Sequence, residues 1–323
     1  MNDFARISAI TLSISAVERD TGLSKDTLRV WERRYGFPTP DRDAAGERAY
    51  AFDQVEKLRV IKRLLDAGHR PGRVVPLPFA ELQQIAQTTL EHPPAGAAER
   101  LPMPPDLGRC LALIRSHDVR GLKRELTRAL SRLGLAGFVS EVVGPLSGAI
   151  GEAWMRGQLE VHEEHSTSEV IQVVLRQALA SLPEAPPDSR PNVLLTTFPG
   201  EPHGQGLLMA EAHFALEGCH CVSLGVQTPL WDIVLAATAY RIDIVALAFT
   251  GCMGPNQVID GLGELRLKLP RGVWLWAGGT APVLHRRRVD GVQAMASLRD
   301  IPAGLARWRG SVAGVPAKVS ALP

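Results

Sequence analysis

Four short runs of β-branched and apolar residues, separated by stretches with helical periodicity, constrain the fold of this 323-residue chain more than any other feature. The runs are 192–198, 221–224, 243–249 and 273–277, and the helical stretches are 204–218, 229–240 and 255–268. Strands that alternate with crossover helices predict a doubly wound parallel sheet of the flavodoxin-like kind. Ligands of such sheets lie beyond the carboxyl ends of the strands.

Polar and glycine-rich segments follow three of these strands. They are Pro199–Gly206, Thr250-Gly251 and Gly278-Gly279-Thr280. Glycines let the backbone approach a bulky ligand, and a loop histidine exposes one ring nitrogen to a metal while a carboxylate orients the other. His203 near Glu201 is therefore a candidate metal ligand. A lone histidine in a loop is more often a hydrogen-bonding surface residue, so the residues by themselves leave both interpretations open.

Two proline-rich stretches, 76–106 and 183–191, divide the chain, and we interpret both as linkers. Segment 1–75 is charged with short helical patterns, and segment 107–182 has apolar residues at helical spacing. Segment 192–310 holds the strand pattern. We therefore expect a multidomain α and α/β protein, with a small helical domain, a helical bundle and a sheet domain in that order.

The first segment has a helix-turn-helix pattern. Gly22 separates two short amphipathic helices, and Ser24 is expected to cap the second, Lys25 to Arg34. The side chains of that helix suited to phosphates and base edges are Lys25, Thr27, Arg29 and Arg33. The stretch through Arg42, Arg48 and Tyr50 predicts a β-hairpin wing. Asp53 is expected to cap a further helix, 54–66, with an apolar face and a basic face of Lys57, Lys62 and Arg63.

This segment resembles the MerR family over about 60 residues. The matching blocks are Ile14-Ser15-Ala16-Val17, Gly22-Leu23-Ser24, Thr27 to Gly36, Arg48-Ala49-Tyr50 and Leu64 to Gly68. The resemblance implies a winged-helix domain whose recognition helix enters the major groove of a double-stranded DNA operator. It also implies that Arg29, Arg33, Arg48 and Tyr50 contact DNA, and that the protein binds as a symmetric oligomer, a dimer or a tetramer.

In the middle segment, apolar residues recur every three or four positions between 107 and 182, which predicts a four-helix bundle. Trp154 and the pair Glu164-His165 stand out within it. Taken alone, the tryptophan is more often a core residue. His162 and His165 more often mark a polar helix face than a metal site, because no third ligand has suitable spacing.

Trp154 followed ten residues later by Glu164-His165 resembles the helical cap of light-sensing cobalamin regulators of the CarH and LitR type. The resemblance implies that the cap covers the upper face of the corrin, with Trp154 against the group carried by cobalt. Relatives commonly place a histidine directly after this tryptophan, to ligate cobalt once light has removed the upper group. Met155 stands there in this chain.

The last segment resembles cobalamin-binding domains of the base-off, His-on type, which carry Asp-x-His-x-x-Gly, a Ser-x-Leu block and a Gly-Gly pair. The counterparts are Glu201-Pro202-His203-Gly204-Gln205-Gly206, Ala248-Phe249-Thr250 and Gly278-Gly279. The resemblance implies that His203 is the lower ligand of the cobalt of cobalamin, with adenosylcobalamin as the expected form. It also implies that Thr250, Gly278 and Gly279 line a channel for the nucleotide tail. Glu201 replaces the usual aspartate, and Ala248 replaces the serine.

Bulk properties exclude several classes. The four cysteines, Cys110, Cys219, Cys221 and Cys252, lack a CxxC pair, which argues against a disulfide framework and a four-thiolate zinc site. A net charge of +2 indicates nothing about nucleic acid by itself. No apolar stretch is expected to reach the roughly 18–20 residues of a membrane span. We expect a soluble cytoplasmic protein with no membrane contact.

The function that these observations favour is a DNA-binding transcription regulator, a repressor and not an enzyme, with cobalamin as a light-responsive cofactor that controls oligomerisation and operator binding. Two alternatives stay open. The same architecture could respond to another tetrapyrrole or a protein partner without light. A corrinoid carrier for methyl transfer would share the cap and the sheet domain, but the DNA-reading segment argues against it.

Overall fold

The structure is a computed structural model that describes residues 11–66, 69–91, 105–155, 158–183, 185–186 and 188–313. The chain divides into two compact units. One is Met1–Met103 with Gly148–Glu164, and the other is Pro104–Ser147 with His165–Pro323. The proline-rich stretch 183–191 lies inside the second unit.

The amino-terminal part of the first unit is a winged helix-turn-helix. Its elements are β1 (Thr11–Ser13), α1 (Ile14–Thr21), α2 (Lys25–Tyr35), β2 (Asp41–Arg42), β3 (Arg48–Ala51), α3 (Phe52–Asp66), α4 (Pro71–Val74) and α5 (Phe79–Glu91). Ser24 caps α2 by accepting from the Thr27 N–H. Gly22 and Gly36, both at φ 69°, end α1 and α2. The three strands pair antiparallel in the order β1-β3-β2, which confirms the predicted wing.

Two details of the predicted third helix are wrong. Helix α3 begins at Phe52, directly after β3, so Asp53 lies in its first turn instead of capping it. There its carboxylate still faces the positive end of the helix dipole. Arg63, predicted on an exposed basic face, is 6% exposed. The buried side of α3 is therefore wider than its apolar residues indicate.

The linker prediction for 76–106 is wrong over residues 79–91, which form α5. Leu82 of α5 is fully buried in the core of the winged unit, together with Leu58 and Ile61 of α3. A helix that buries a leucine against a neighbour is part of the fold and not a tether. Residues 92–104, the rest of the predicted linker, lie outside the described residues.

Replacing Leu82 by alanine is expected to destabilise the winged unit by about 2–5 kcal/mol, because the cavity left in a packed core adds to the lost burial. The neighbouring exposed residue Gln83 supplies a matched control, and Gln83→Ala should change stability by less than about 0.5 kcal/mol. Thermal unfolding followed by circular dichroism measures both. Equal effects of the two variants would mean that α5 is not packed as described.

Four α-helices follow, as predicted. They are α6 (Pro105–Arg115), α7 (Val119–Gly137), α8 (Gly144–Met155) and α9 (Val161–Ala180), with a π-helical turn, Phe138–Val143, between α7 and α8. Gly134, at φ 68° and ψ 172°, breaks the helical backbone within α7. The sequence predicted no apolar stretch long enough to span a membrane, and this was wrong. Val119–Ala153 has the length and composition of a membrane span. Its Phe138, Val142 and Leu146 are buried, as in a core helix.

The rest of the second unit is a doubly wound parallel sheet. Its elements are β4 (Asn192–Thr196), α10 (Gln205–Leu216), β5 (His220–Gly225), α11 (Leu230–Ala239), β6 (Ile244–Phe249), α12 (Pro255–Lys268), β7 (Trp274–Gly279), α13 (Val283–Arg286), β8 (Val292–Met295) and α14 (Ile301–Ala313). All neighbours in the order β5-β4-β6-β7-β8 are parallel. This is the flavodoxin-like order 2-1-3-4-5, with β8 as its fifth strand, and it confirms the predicted fold class.

Helices cover both faces of this sheet. On one face, Leu194, Val245 and Leu275 pack with residues of α11, α12 and α13. On the other, Val193 and Trp276 pack with residues of α10 and α14. The alternation of side chains along each strand thus supplies two cores. The central strands β4, β6 and β7 are mostly buried on both faces, which is why their sequences are continuous apolar runs, whereas the edge strands β5 and β8 are largely half-exposed or exposed.

Candidate functional site

The strand order places a crevice between β4 and β6. These two strands are neighbours, yet the helix after β4 packs on one face of the sheet and the helix after β6 packs on the other. The two connecting loops therefore diverge, and a cleft opens between them at the carboxyl edge of the sheet. The first loop carries Glu201 and His203, and the second carries Thr250 and Cys252.

The two loops are joined through the carboxylate of Glu201. Its Oε1 lies 2.6 Å from His203 Nδ1, and its Oε2 accepts the Thr250 backbone N–H at 2.6 Å. The Thr250 hydroxyl donates to the same carboxylate, 2.9 Å from Oε2, and lies 3.2 Å from His203 Nδ1. Glu201 is fully buried. The structure thus brings Glu201, His203 and Thr250 together, and the carboxylate lies at the centre of the group.

The carboxylate and the imidazole shift one another's ionisation in opposite directions. Burial alone would raise the pKa of Glu201, but hydrogen bonds from His203 and from the Thr250 backbone and hydroxyl lower it to about 2. Hydrogen bonds with Cys252 and Glu201 raise the pKa of His203 to about 10, against the effect of desolvation. At neutral pH Glu201 is therefore ionised and His203 is protonated on both ring nitrogens, with its Nδ1–H directed at the carboxylate. Nε2 must lose its proton before it can ligate a metal.

The other ring nitrogen of His203 is not engaged by the carboxylate. The side chain is 56% exposed, whereas that of Glu201 is 0% exposed. A histidine whose Nδ1 donates to a carboxylate presents Nε2 in a fixed orientation, which is the arrangement common to metal-ligating histidines. The pair thus has the chemistry of an axial imidazole with its orienting partner.

Two residues of the site, Thr197 and Cys252, were missed or left unassigned by the sequence. The Thr197 hydroxyl donates to the Glu201 carbonyl at 2.6 Å and accepts from the Gln227 N–H at 2.8 Å, so it shapes the loop before His203. Cys252 Sγ donates to the Gly200 carbonyl at 3.5 Å, and its ligand atom lies within 4.8 Å of those of Glu201 and His203. The threonine pair ending an apolar run was the available signal for Thr197.

Small residues lie side by side next to this group. A Cβ added to Gly206, in the first turn of α10, would lie 3.8 Å from the Cβ of Ala248 on β6. Ala248 is in turn the register partner of Gly278 on β7. None of the three is fully buried. These residues, the small-residue row, bring no bulky side chain to this part of the carboxyl edge of the sheet.

The predicted cap residues lie at helix ends. Trp154 and Met155 are in the last turn of α8, and Glu164 and His165 are near the start of α9. Glu164 is half-buried and His165 is exposed.

The predicted DNA-reading residues lie mainly on the exposed side of α2. Lys25 Nζ is 3.7 Å from a Glu18 carboxylate oxygen, and Arg29 Nη1 is 3.1 Å from Asp26 Oδ1. Thr27 shares its hydroxyl with the Ser24 cap at 2.8 Å, and Arg33 is exposed. Exposed ion pairs of this kind are weak and open readily for a phosphate.

The two wing residues have different surroundings. Arg48 Nε donates to Glu32 Oε2 at 2.8 Å, so α2 orients its guanidinium. Tyr50 is fully buried, and its hydroxyl has no hydrogen-bond partner among the described residues. Burial raises the Tyr50 pKa, and the charges of Arg48, Arg29 and Arg42 oppose that shift. The hydroxyl is thus a buried donor surrounded by arginines.

Comparison with known proteins places these parts in context. Residues 12–75 match the MerR HTH family of regulatory proteins. The chain is 33% identical to the HTH-type transcriptional repressor CarH of Myxococcus xanthus over 281 residues, 85% of this chain and 91% of that protein. It is 31% identical to the HTH-type transcriptional repressor CarA of the same organism over 257 residues, 79% of this chain and 82% of that protein.

Among solved structures, the monomethylamine corrinoid protein of Methanosarcina barkeri is similar at a TM-score of 0.48 with 18% sequence identity. The match covers 61% of this chain and 94% of that one. A likeness of this degree carries no weight for the ligand.

Proposed function

This chain belongs to the family of HTH-type transcriptional repressors that includes CarH and CarA, and from that premise we propose that cobalamin controls its binding to a DNA operator. The winged helix-turn-helix makes it a DNA-binding transcription regulator, and the family consists of regulators and not of enzymes. The cofactor, its form, the signal and the assembly are the proposed parts. We place its action in the cytoplasm.

The observation that carries the proposal is the Glu201–His203 pair at the crevice between β4 and β6. Its 2.6 Å contact fixes Nδ1 and leaves Nε2 for cobalt. The residues present fit a corrinoid, because an oriented imidazole stands at the ligand-binding edge of a flavodoxin-like sheet. The small-residue row supports the fit, since it brings no bulky side chain to the edge where a nucleotide tail would lie beside the histidine. Thr250 and Gly279 flank that space.

We propose adenosylcobalamin as the form bound, with the helical segment as its cap. When bound, it supplies a cobalt–carbon bond that light breaks. Trp154 would then cover the upper group, with Glu164 and His165 nearby on the following helix. Met155 stands where relatives place a histidine, so a strong histidine ligand is not available at that position after photolysis. Met155 and Ala248 favour a second candidate, a regulator of the same architecture that does not respond to light.

DNA contact is proposed for Lys25, Thr27, Arg29 and Arg33 of α2 and for the wing residues Arg48 and Tyr50. The unpartnered hydroxyl of Tyr50 supports this, because a buried donor without an acceptor is costly and a phosphate oxygen would satisfy it. The side chain must move outward to reach one. Two or more winged units in a homodimer or homotetramer would raise operator occupancy through effective concentration.

Reconstitution with adenosylcobalamin tests the proposal. Purified protein should bind it in the dark at one equivalent per chain with the spectrum of a histidine-ligated corrinoid. Illumination should change that spectrum and the size-exclusion profile and release DNA that is retained in the dark. Binding without a light response would leave the second candidate. Failure to bind any corrinoid, with DNA binding intact, would refute the cofactor assignment.

A further inference from the structure

One exposed side of α7 is basic along its whole length. Arg120, Lys123, Arg124, Arg128 and Arg132 recur every three or four residues, with Thr127 and Ser131 between them, and all seven are exposed. Three- and four-residue spacing places them on one side of the helix. We call this surface the basic face.

The charge of the basic face is large compared with that of the chain. Helix α7 holds five Arg and Lys residues and one Glu, a net charge of +4, whereas the whole chain carries +2. The other 304 residues therefore sum to −2, as 2 minus 4. This helix thus carries a net positive charge, while the rest of the chain taken together carries a net negative one.

Neighbouring carboxylates neutralise this face incompletely. Arg128 and Arg109 share Glu125, at 3.7 and 2.6 Å, while Arg132 and Arg109 share Asp106. Arg124 lies 3.8 Å from Asp118. Arg120 and Lys123 have no ion-pair partner among the described residues. The face therefore attracts an anion with several negative charges.

The chemistry of the basic face favours a phosphodiester backbone over a protein or a membrane. Its exposed residues are cations and hydroxyls, with the half-exposed Val119 at the start of the helix as the one large apolar neighbour, whereas protein interfaces are depleted of charge at their centres. The apolar side of α7, including Leu122 and Leu126, is buried, so α7 has no apolar stripe that could enter a lipid interface. Arginine with interspersed hydroxyl residues is typical of contacts to phosphate and sugar.

We propose that the basic face of α7 binds DNA phosphates outside the bases read by the winged helix-turn-helix. From Arg120 to Arg132 the helix rises about 18 Å, a distance that spans about five phosphates of one strand along the duplex axis. Such contact is independent of base sequence. It strengthens binding to DNA that extends beyond the recognised site and increases the salt dependence of that binding.

The test compares the full-length protein with the triple variant Arg120→Gln, Lys123→Gln, Arg128→Gln. Glutamine keeps high helix propensity, so α7 should remain folded. The matched control is Arg271→Gln, Arg286→Gln, Arg288→Gln, which removes the same charge from exposed positions in the sheet domain. The probe is a fluorescent mixed-sequence duplex of about 40 base pairs, titrated over a range of salt concentrations.

The triple variant should bind this duplex about tenfold or more weakly at low salt, and its slope of log K against log salt should fall by about 2.7, that is, about 0.9 for each of the three lost phosphate contacts. The control should keep the parent slope. Equal losses in both variants would assign the effect to net charge and overturn the proposal. An unchanged slope with altered size in sedimentation would assign the face to a protein contact and overturn it too. Neither readout requires cobalamin.

Discussion

Replacing His203 by alanine should remove the histidine-ligated spectrum of bound cobalamin and weaken cobalamin retention at least about 100-fold. The reason is that His203 offers the oriented imidazole nitrogen at the crevice, through its 2.6 Å contact with the buried Glu201. Absorption spectra of the dark complex and equilibrium dialysis measure the two effects. Binding of mixed-sequence DNA by cobalamin-free protein should be unchanged, because His203 belongs neither to the winged helix-turn-helix nor to the basic face of α7.

A graded series makes the prediction specific. Glu201→Gln keeps a hydrogen-bond acceptor but removes the charge that holds the Nδ1 proton, so retention should fall about 10–100-fold while the histidine-ligated spectrum persists. His220→Ala is the control. His220 is exposed and lies at the amino end of β5, whereas His203 lies beyond the carboxyl end of β4. A normal spectrum from His203→Ala would mean that another residue ligates cobalt, or that the base of the cofactor does.

Much of the sheet domain follows from the sequence because the central strands β4, β6 and β7 are mostly buried on both faces. The four predicted runs are these three strands and the edge strand β5, and their ends agree with the structure within about two residues. Strand β8 was missed for the corresponding reason. It lies at the edge of the sheet, and its Val292-Gln293-Ala294-Met295 carries a polar residue and only one buried side chain. The polar Gln293 interrupts the apolar run of β8, whereas the other edge strand, β5, keeps apolar Cys221, Val222 and Leu224 and was predicted.

Helix α5 was predicted to be part of a linker, although it is a packed helix of the winged unit. Prolines on both sides of it made 76–106 look like a linker, yet tertiary packing of Leu82 outweighs that composition. Local composition predicts turns well, but it does not predict which other helix a segment packs against. Arg63 was misplaced for the same reason, because only the folded unit reveals that its side of α3 is covered.

The candidate site divides in the same way. The spacing of Glu201, His203 and Gly206 is local, so the sequence alone indicates a histidine beside an orienting carboxylate. The contacts of Thr250 with that carboxylate join residues 49 positions apart, and their geometry requires the strand order. Thr197 hydrogen-bonds to the backbone of the loop and not to the imidazole of His203. No metal-binding sequence pattern therefore includes it. The contacts between the His203 loop and the Thr250 loop exist because β4 and β6 are adjacent strands of the sheet.

Gly279→Ala is expected to destabilise the sheet domain by about 4 kcal/mol. Gly279 has φ 112°, a backbone conformation that residues other than glycine rarely adopt. In addition, a Cβ added to Gly279 would lie 2.1 Å from the Phe249 carbonyl oxygen. That oxygen accepts the N–H groups of Thr280 and Ala281, at 2.9 and 3.3 Å. Strain and overpacking therefore add, at about 1–3 kcal/mol each. Urea unfolding followed by tryptophan fluorescence measures the loss.

A substitution at the adjacent Gly278 separates an effect on stability from an effect on cobalamin retention. A Cβ on Gly278 would make ordinary contacts, 3.5 Å to the Met295 Cβ and 3.6 Å to its carbonyl, so Gly278→Ala should cost less than about 1 kcal/mol. The methyl group would still enter the small-residue row and weaken cobalamin retention. In Gly279→Ala the displaced Phe249 carbonyl belongs to the peptide that supplies the Thr250 N–H to Glu201, so stability and retention should fall together. A stable Gly279→Ala variant would show that β6 and β7 do not approach as closely as described. A Gly278→Ala variant that retains cobalamin normally would place the nucleotide tail away from the small-residue row.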